Sequence, residues 1–187
     1  MPPKTKITKQ DIIEKALDLL REGGEGAINA RSIASALGCS TQPIFSNFSS
    51  MEELEESVLF AAYECYLGFL RREAESGKYP AYKSFGMAYI RFAKEERELF
   101  KLLFMCDRRG KEFKFTSDFD ESVEMIMKAN GLDKEKAKLM HLQMWVSVHG
   151  IAAMLATSFL ELETELISDI LTDIYQGLRA RHMMEGN

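Results

Sequence analysis

The fold of this chain is decided by residues 29–51, which read NARSIASALGCSTQPIFSNFSSM. Ile33 and Leu37 recur at helical spacing, so one side of a short first helix is apolar. Gly38 follows at a corner, where a chain that leaves a helix commonly needs a positive φ. Ile44 begins a second apolar face after that corner. Two short helices joined by a tight turn predict a helix-turn-helix, whose second helix lies in the major groove of DNA.

The same stretch resembles the DNA-binding motif of the TetR family of transcriptional regulators. The matching features are Arg31, Ile33-Ala34, Leu37-Gly38-Cys39-Ser40, Ile44-Phe45-Ser46-Asn47-Phe48 and the segment from Ser49 to Leu54. Three positions depart from the family pattern. Asn47 stands where the family often has His, Met51 replaces a phosphate-contacting Lys, and Phe45 replaces a Tyr whose hydroxyl contacts phosphate.

The resemblance implies an all-α fold of about nine helices. Residues 1–50 are expected to form a three-helix DNA-binding head that contains the helix-turn-helix. Residues 51–187 are expected to form a helical-bundle body for ligand binding and dimerisation.

The polar side of the second motif helix is the expected DNA face. Gln and Asn side chains can make paired hydrogen bonds to adenine, and Ser or Thr can bond to bases or phosphates. Ser40 is also expected to cap this helix. The expected DNA contacts are Lys4, Lys6, Lys9, Arg31, Ser40, Thr41, Gln42, Pro43, Phe45, Ser46, Asn47 and Met51.

The charge of the chain is unevenly spread over its 187 residues. The formal net charge is −5, which argues against a nucleic-acid binder that uses its whole surface. The first 50 residues hold six Lys and Arg against five Asp and Glu, a net +1 that leaves −6 for the rest. Lys4, Lys6 and Lys9 precede every acidic residue. This distribution suits a protein that meets DNA with one end only.

The composition also indicates in which cellular compartment the protein works. The three cysteines are far apart and form no C-x-x-C, so neither a disulfide framework nor a zinc site is expected. No run approaches the roughly 18 apolar residues of a membrane span, and the first residues lack an apolar signal core. We therefore expect a cytoplasmic protein with no membrane partner.

The two final predicted helices, over about 133–159 and 162–179, carry long apolar stripes. The middle of the first is apolar almost all round, which predicts burial on several sides. In TetR-like proteins the last two helices pair with those of a second subunit, so the resemblance implies a homodimer. The alternative is that they complete the core of a monomer. The expected interface residues are Val148, Ala152, Leu155, Leu166, Ile167, Ile170, Leu171, Ile174 and Leu178.

A second motif lies in the body, where Trp145-Val-Ser-Val-His149-Gly150 resembles the W-x-x-x-H-G signature of one subgroup of TetR-like regulators. His141, Trp145 and His149 share one line along their helix, and Met and Phe residues could face it. A pocket for a small apolar effector and plain core packing are both open interpretations. The candidate pocket residues are Phe92, Phe104, Met105, Met125, His141, Met144, Trp145 and His149.

No catalytic pattern is present in the sequence. His141 and His149 are eight residues apart, about 12 Å along a helix, which is too far to share one metal ion. His182 is expected in a frayed tail. The chain is therefore predicted to be no enzyme, with no cofactor and no metal. The predicted function is a homodimeric repressor that binds a palindromic operator in double-stranded DNA and responds to a small-molecule effector. The alternative is a helical small-molecule-binding or adaptor protein that has lost DNA binding.

Overall fold

A computed structural model describes residues 7–107 and 117–184 of the chain. These residues form nine α-helices and one 3₁₀ turn, Glu25–Ala27. The helices are α1 Lys9–Gly23, α2 Ala30–Ala36, α3 Gln42–Asn47, α4 Met51–Ser76, α5 Ala81–Glu95, α6 Arg97–Phe104, α7 Ser117–Asn130, α8 Lys134–Ala156 and α9 Thr164–Met184. The prediction of an all-α fold with about nine helices is confirmed.

The chain divides into two compact units. Unit 1 holds residues 1–68 and 96–106, and unit 2 holds residues 69–95 and 107–187. Helix α4 runs unbroken across residue 68. Helix α6 belongs to unit 1, although it follows α5 in the chain. The division into a DNA-binding domain of residues 1–50 and a body of residues 51–187 stays a prediction.

Unit 1 begins with helix α1, whose N-terminus is capped by Thr8. The Thr8 hydroxyl accepts a hydrogen bond from the backbone N–H of Asp11, and the Asp11 carboxylate accepts one from the backbone N–H of Thr8. At the other end of α1, Arg21 donates two hydrogen bonds to Glu96, at 2.8 and 3.1 Å. A bidentate pair of this kind fixes orientation as well as distance. It ties α1 to the residue that precedes α6.

Unit 2 is organised around α5, α8 and α9. Tyr82 and Tyr89 of α5 contact His141 and His149 of α8 in the same chain order, so the two helices run parallel. Gly86 marks the point of close approach, because a Cβ built there would lie 3.3 Å from a methyl of Val148. Helix α7 packs against the start of α8 through a small core of Val123, Ile126, Ala137 and Met140.

The length and apolarity of α8 correct one expectation. The helix is buried on several sides against α5, α7 and α9, while Leu139, Leu142, Trp145 and Val146 keep 47–57% of their surface exposed. Helix α8 is also long and apolar enough to cross a membrane by length and composition alone. The expectation that no stretch reaches that apolarity is wrong for α8. Core helices of soluble proteins pass the same test, so it is weak evidence for a membrane.

Candidate functional site

The corner between α2 and α3 has the geometry that the sequence predicts. Gly38 adopts φ +64°, and the backbone N–H of Cys39 donates to the Ala34 carbonyl at 2.9 Å. Ala34, Ile44 and Phe48 are buried, so the small alanine lets the two helices pack closely. The opposite side of α3 is left facing outward. This part of unit 1 is therefore a helix-turn-helix with an accessible second helix.

Helix α3 begins one residue later than expected. Its N-cap position is Thr41, whose side chain makes no capping bond, so the expected Ser40 cap is not formed. Pro43 lies in the first turn, where a missing N–H costs little. Thr41 is half-buried, and its hydroxyl is not used by a cap.

The outward face of α3 carries Gln42, Phe45 and Ser46, all exposed. Arg31 of α2 and Ser40 are exposed as well, while Met51 at the start of α4 is half-buried. Phe45 is the one large apolar side chain on this face of α3, with 52% of its surface exposed. Gln42 lies three residues before Phe45, so both are on one side of the helix.

Two of the expected base-reading side chains, Ser46 and Asn47, already make hydrogen bonds within unit 1. The Asn47 amide donates to the Pro43 carbonyl at 2.8 Å and to the Ile7 carbonyl at 3.4 Å. The Ser46 hydroxyl donates to the Gln42 carbonyl at 2.9 Å. Short polar side chains on a helix commonly bond the carbonyl four residues back, a local signal that the sequence interpretation passed over. Their donors are therefore satisfied before any DNA arrives.

Lys9 is held by the protein as well. Its ammonium lies 2.8 Å from Glu53 Oε1 and 4.6 Å from the centre of the Phe48 ring. Glu53 Oε2 accepts from both the backbone N–H and the hydroxyl of Ser49 at 2.7 Å. The bond from Lys9, followed by those from Ser49, lowers the pKa of Glu53 to about 2. This clamp joins the start of α1 to the start of α4. Lys4 and Lys6 lie outside the described residues.

Unit 2 holds two tyrosine–histidine pairs between α5 and α8. The Tyr82 hydroxyl lies 2.9 Å from His141 Nδ1, and the Tyr89 hydroxyl lies 2.9 Å from His149 Nδ1. Burial lowers the pKa of both histidines and raises the pKa of Tyr82. Near neutral pH the Tyr82 hydroxyl therefore keeps its proton and the His141 ring is neutral. The tautomer of that ring sets which of the two groups donates the hydrogen bond.

The candidate pocket residues fall into separate environments. Phe104 and Met105 belong to unit 1, and the remaining six belong to unit 2. Phe92 is buried against Phe69, and His141 packs edge-on against Phe119. Met144 is buried and Met125 is half-buried. An effector pocket stays a prediction.

Trp145 and His149 give the W-x-x-x-H-G motif a defined geometry. Their rings stack at 5.4 Å with an angle of 16° between the planes. Trp145 is exposed on the outer side of α8, while the hydrogen bond between Tyr89 and His149 joins α8 to α5. The motif therefore has two structural contacts, one between neighbouring turns of α8 and one between α8 and α5.

The expected interface residues are mostly turned into their own chain. Val148, Ala152, Leu155, Ile167 and Leu171 are buried, so they have little surface left for a partner. Ile170, Ile174 and Leu178 are half-buried, and Leu166 is exposed. Their role in a dimer stays a prediction. The exposed apolar stripe of α8 was missed, although Leu139, Leu142 and Val146 follow the i, i+3, i+7 spacing of one helix face.

His182 corrects another expectation. It is not in a frayed tail, because only 2% of its surface is exposed and its Nε2 lies 3.1 Å from the Gln143 Oε1 atom of α8. Within residues 7–107 and 117–184, no three His, Cys, Asp or Glu side chains cluster closely enough to hold a metal ion.

Comparison with known proteins gives consistent matches. Residues 82–174 match the family model described as "Tetracyclin repressor-like, C-terminal domain". A curated relative is named as an uncharacterized HTH-type transcriptional regulator of Mycobacterium tuberculosis. It is 21% identical over an alignment of 182 residues that covers 94% of this chain and 84% of the relative.

Solved structures extend the likeness to almost the whole fold. A TetR-like transcriptional regulator from Rhodococcus sp. RHA1 has a TM-score of 0.63 at 15% identity, covering 90% of this chain and 93% of that one. A member of the TetR family from Streptomyces coelicolor A3 has a TM-score of 0.59 at 15% identity, covering 89% and 96%. The fold expected from the helix-turn-helix sequence is thus confirmed. The W-x-x-x-H-G subgroup stays a prediction.

Proposed function

We propose that this chain, as a member of the TetR family of transcriptional regulators, is a homodimeric repressor of a palindromic operator. The outward side of α3 is the observation that carries the proposal. It presents Gln42 and Phe45 beside the exposed Arg31, while Ile44 and Phe48 hold the helix to the core of unit 1. A helix mounted in this way can enter a major groove and touch base edges.

Selection of bound sequences from a random duplex pool tests the proposal directly. The expected result is a two-fold symmetric consensus, because two identical heads read two identical half-sites. A log–log plot of affinity against salt concentration should have a clearly negative slope, as phosphate contacts release counterions. Failure to enrich any sequence would refute DNA recognition by this chain.

Two substitutions separate base reading from general folding. Gln42→Ala removes an amide that can pair with adenine, a contact worth about 1–3 kcal/mol per half-site. Its matched control is Gln10→Ala, which removes the same group from the exposed side of α1. The Gln42 variant should stay folded but bind the selected duplex more weakly, and the Gln10 variant should bind it as the wild type does.

For the dimer we propose the outer side of α8, with Leu142 and Val146 at its centre and a second copy of the chain as the occupant. A row of exposed apolar side chains at helical spacing is the pattern that a helix-pair interface covers. Leu166 and Ile170 of α9 extend the apolar surface, and the family relationship supports pairing of these two helices. Sedimentation velocity should show the Val146→Glu variant as a monomer. Phe60→Glu places the same charge on an equally exposed apolar residue of α4 and should stay dimeric.

The remaining parts of the proposal rest on family membership. We propose that a small apolar effector binds in unit 2 and lowers DNA affinity, with the continuous helix α4 as the covalent route to the head. The protein would then act in the cytoplasm, where its DNA is, and would be no enzyme.

A second candidate function is a helical small-molecule-binding or adaptor protein without DNA binding. Phe45 and Met51 lack the polar groups that would contact phosphate, and Lys9 is paired with Glu53. The random-pool selection decides between the two, since an adaptor would enrich no symmetric sequence.

A further inference from the structure

Few hydrogen-bonding side chains of α3 remain available to DNA. Ser46 and Asn47 donate to backbone carbonyls of their own unit, so their donors are engaged. Gln42 is exposed, and the Thr41 hydroxyl makes no capping bond. Direct reading of hydrogen bonds on this helix therefore falls mainly to its first turn.

Phe45 stands next to that turn and has a different chemistry. Its ring has no hydrogen-bonding group, so it can bond neither a phosphate nor the polar edge of a base. Single exposed aromatic residues are normal on protein surfaces, and Phe60 of α4 is one. Phe45 differs from Phe60 because it shares one side of α3 with Gln42, three residues earlier.

The major groove displays one apolar group at its base edges, the 5-methyl group of thymine. We propose that Phe45 is a specificity-determining residue that contacts a thymine methyl in each half-site, beside the base that Gln42 reads. This inference rests on the proposed function, because it assumes that α3 enters the groove. Since glutamine pairs best with adenine, the two residues together require neighbouring A·T pairs in the half-site.

The proposal makes the methyl group itself the quantity to vary. The probe is the duplex selected from the random pool, together with copies in which each thymine in turn is replaced by uracil. Uracil keeps the base pair and its hydrogen bonds and lacks only the methyl. Burying one methyl-sized apolar group is worth about a fourfold change in affinity, so replacing it in both half-sites should weaken binding about 15-fold.

A double-mutant cycle assigns the effect to the ring. In the Phe45→Ala variant the same uracil replacement should change affinity less than twofold, because the group that senses the methyl is gone. Phe45→Tyr keeps the ring and should keep the discrimination. Circular dichroism melting of each variant checks that unit 1 stays folded, and the slope of affinity against salt should be unchanged in Phe45→Ala, since no phosphate contact is lost.

The outcomes separate this inference from the proposed function. Tight, symmetric binding that is indifferent to uracil at every position overturns the role of Phe45 and leaves DNA recognition standing. Equal sensitivity to uracil in the wild type and in Phe45→Ala also overturns it, because another residue then reads the methyl. Absence of any selected sequence overturns the proposed function itself, and this inference with it.

Discussion

Replacing Gly38 with alanine isolates the cost of the corner between α2 and α3. Gly38 has φ +64°, a left-handed conformation that an L side chain adopts at a cost of about 1–2 kcal/mol. A Cβ built on Gly38 would meet nothing within 4 Å, so no clash adds to that cost. For a protein of this size, the expected fall in melting temperature is about 2–8 °C.

Two other glycines provide matched controls for Gly38→Ala. Gly26 and Gly68 also have open space around an added Cβ, but neither has a positive φ. Gly68→Ala lies inside α4 and should raise the free energy of unfolding by about 0.5–1 kcal/mol through helix propensity. Gly26→Ala lies in the 3₁₀ turn and should be close to neutral.

Urea denaturation of the four proteins at one fixed protein concentration measures the differences, since dimer stability depends on concentration. If Gly38→Ala were as stable as Gly26→Ala, the positive φ could not be what the corner requires. A Gly38→Ala protein with unchanged stability and weakened DNA binding would instead mean that α3 had moved to relieve the strain.

Three further predictions concern charge and packing. The pKa of Glu53 is about 2 in the folded protein against an ordinary value of 4.5, so its ionised carboxylate stabilises the fold fully above pH 4.5 and this effect is lost as the pH falls toward 2. Glu53→Gln should therefore weaken the dependence of the urea midpoint on pH between 4.5 and 2. Burial lowers the pKa of His141 below its ordinary 6.5, so stability should fall as the pH drops below 6.5, and an NMR titration that places this pKa above 6.5 would contradict the assignment. Gly86→Ala should gain less stability than Gly68→Ala in the same urea assay, because its Cβ would press on the stiff, β-branched side chain of Val148.

Local signals in the sequence predicted the local geometry well. The positive φ of Gly38 and the burial of Ile44 each follow from a few neighbouring residues, and the structure has both. Helix ends were predicted less closely. Helix α9 continues to Met184 rather than about residue 179, because a fading apolar stripe does not by itself stop a helix.

The errors concern which side of a helix meets which neighbour. Helix α8 is apolar on almost every side, so its sequence does not show which side faces the core. Periodicity therefore could not separate the buried Val148 and Leu155 from the exposed Leu142 and Val146. His182 was placed in a loose end because tails commonly fray, but long-range packing buries it beside Gln143. Such contacts depend on how distant segments meet, and single-sequence patterns do not encode them directly.

The pairing of Arg21 with Glu96 bears on how regulators of this kind can be recombined. A chimera that grafts residues 1–68 onto a foreign partner would leave α6 behind, along with the carboxylate that holds the end of α1. Arg21 would then keep only its longer ion pair with Asp18, at 3.7 Å within α1. A transplant of DNA specificity should therefore carry residues 96–106 along, or exchange only the outward positions of α3 and keep the native chain around them.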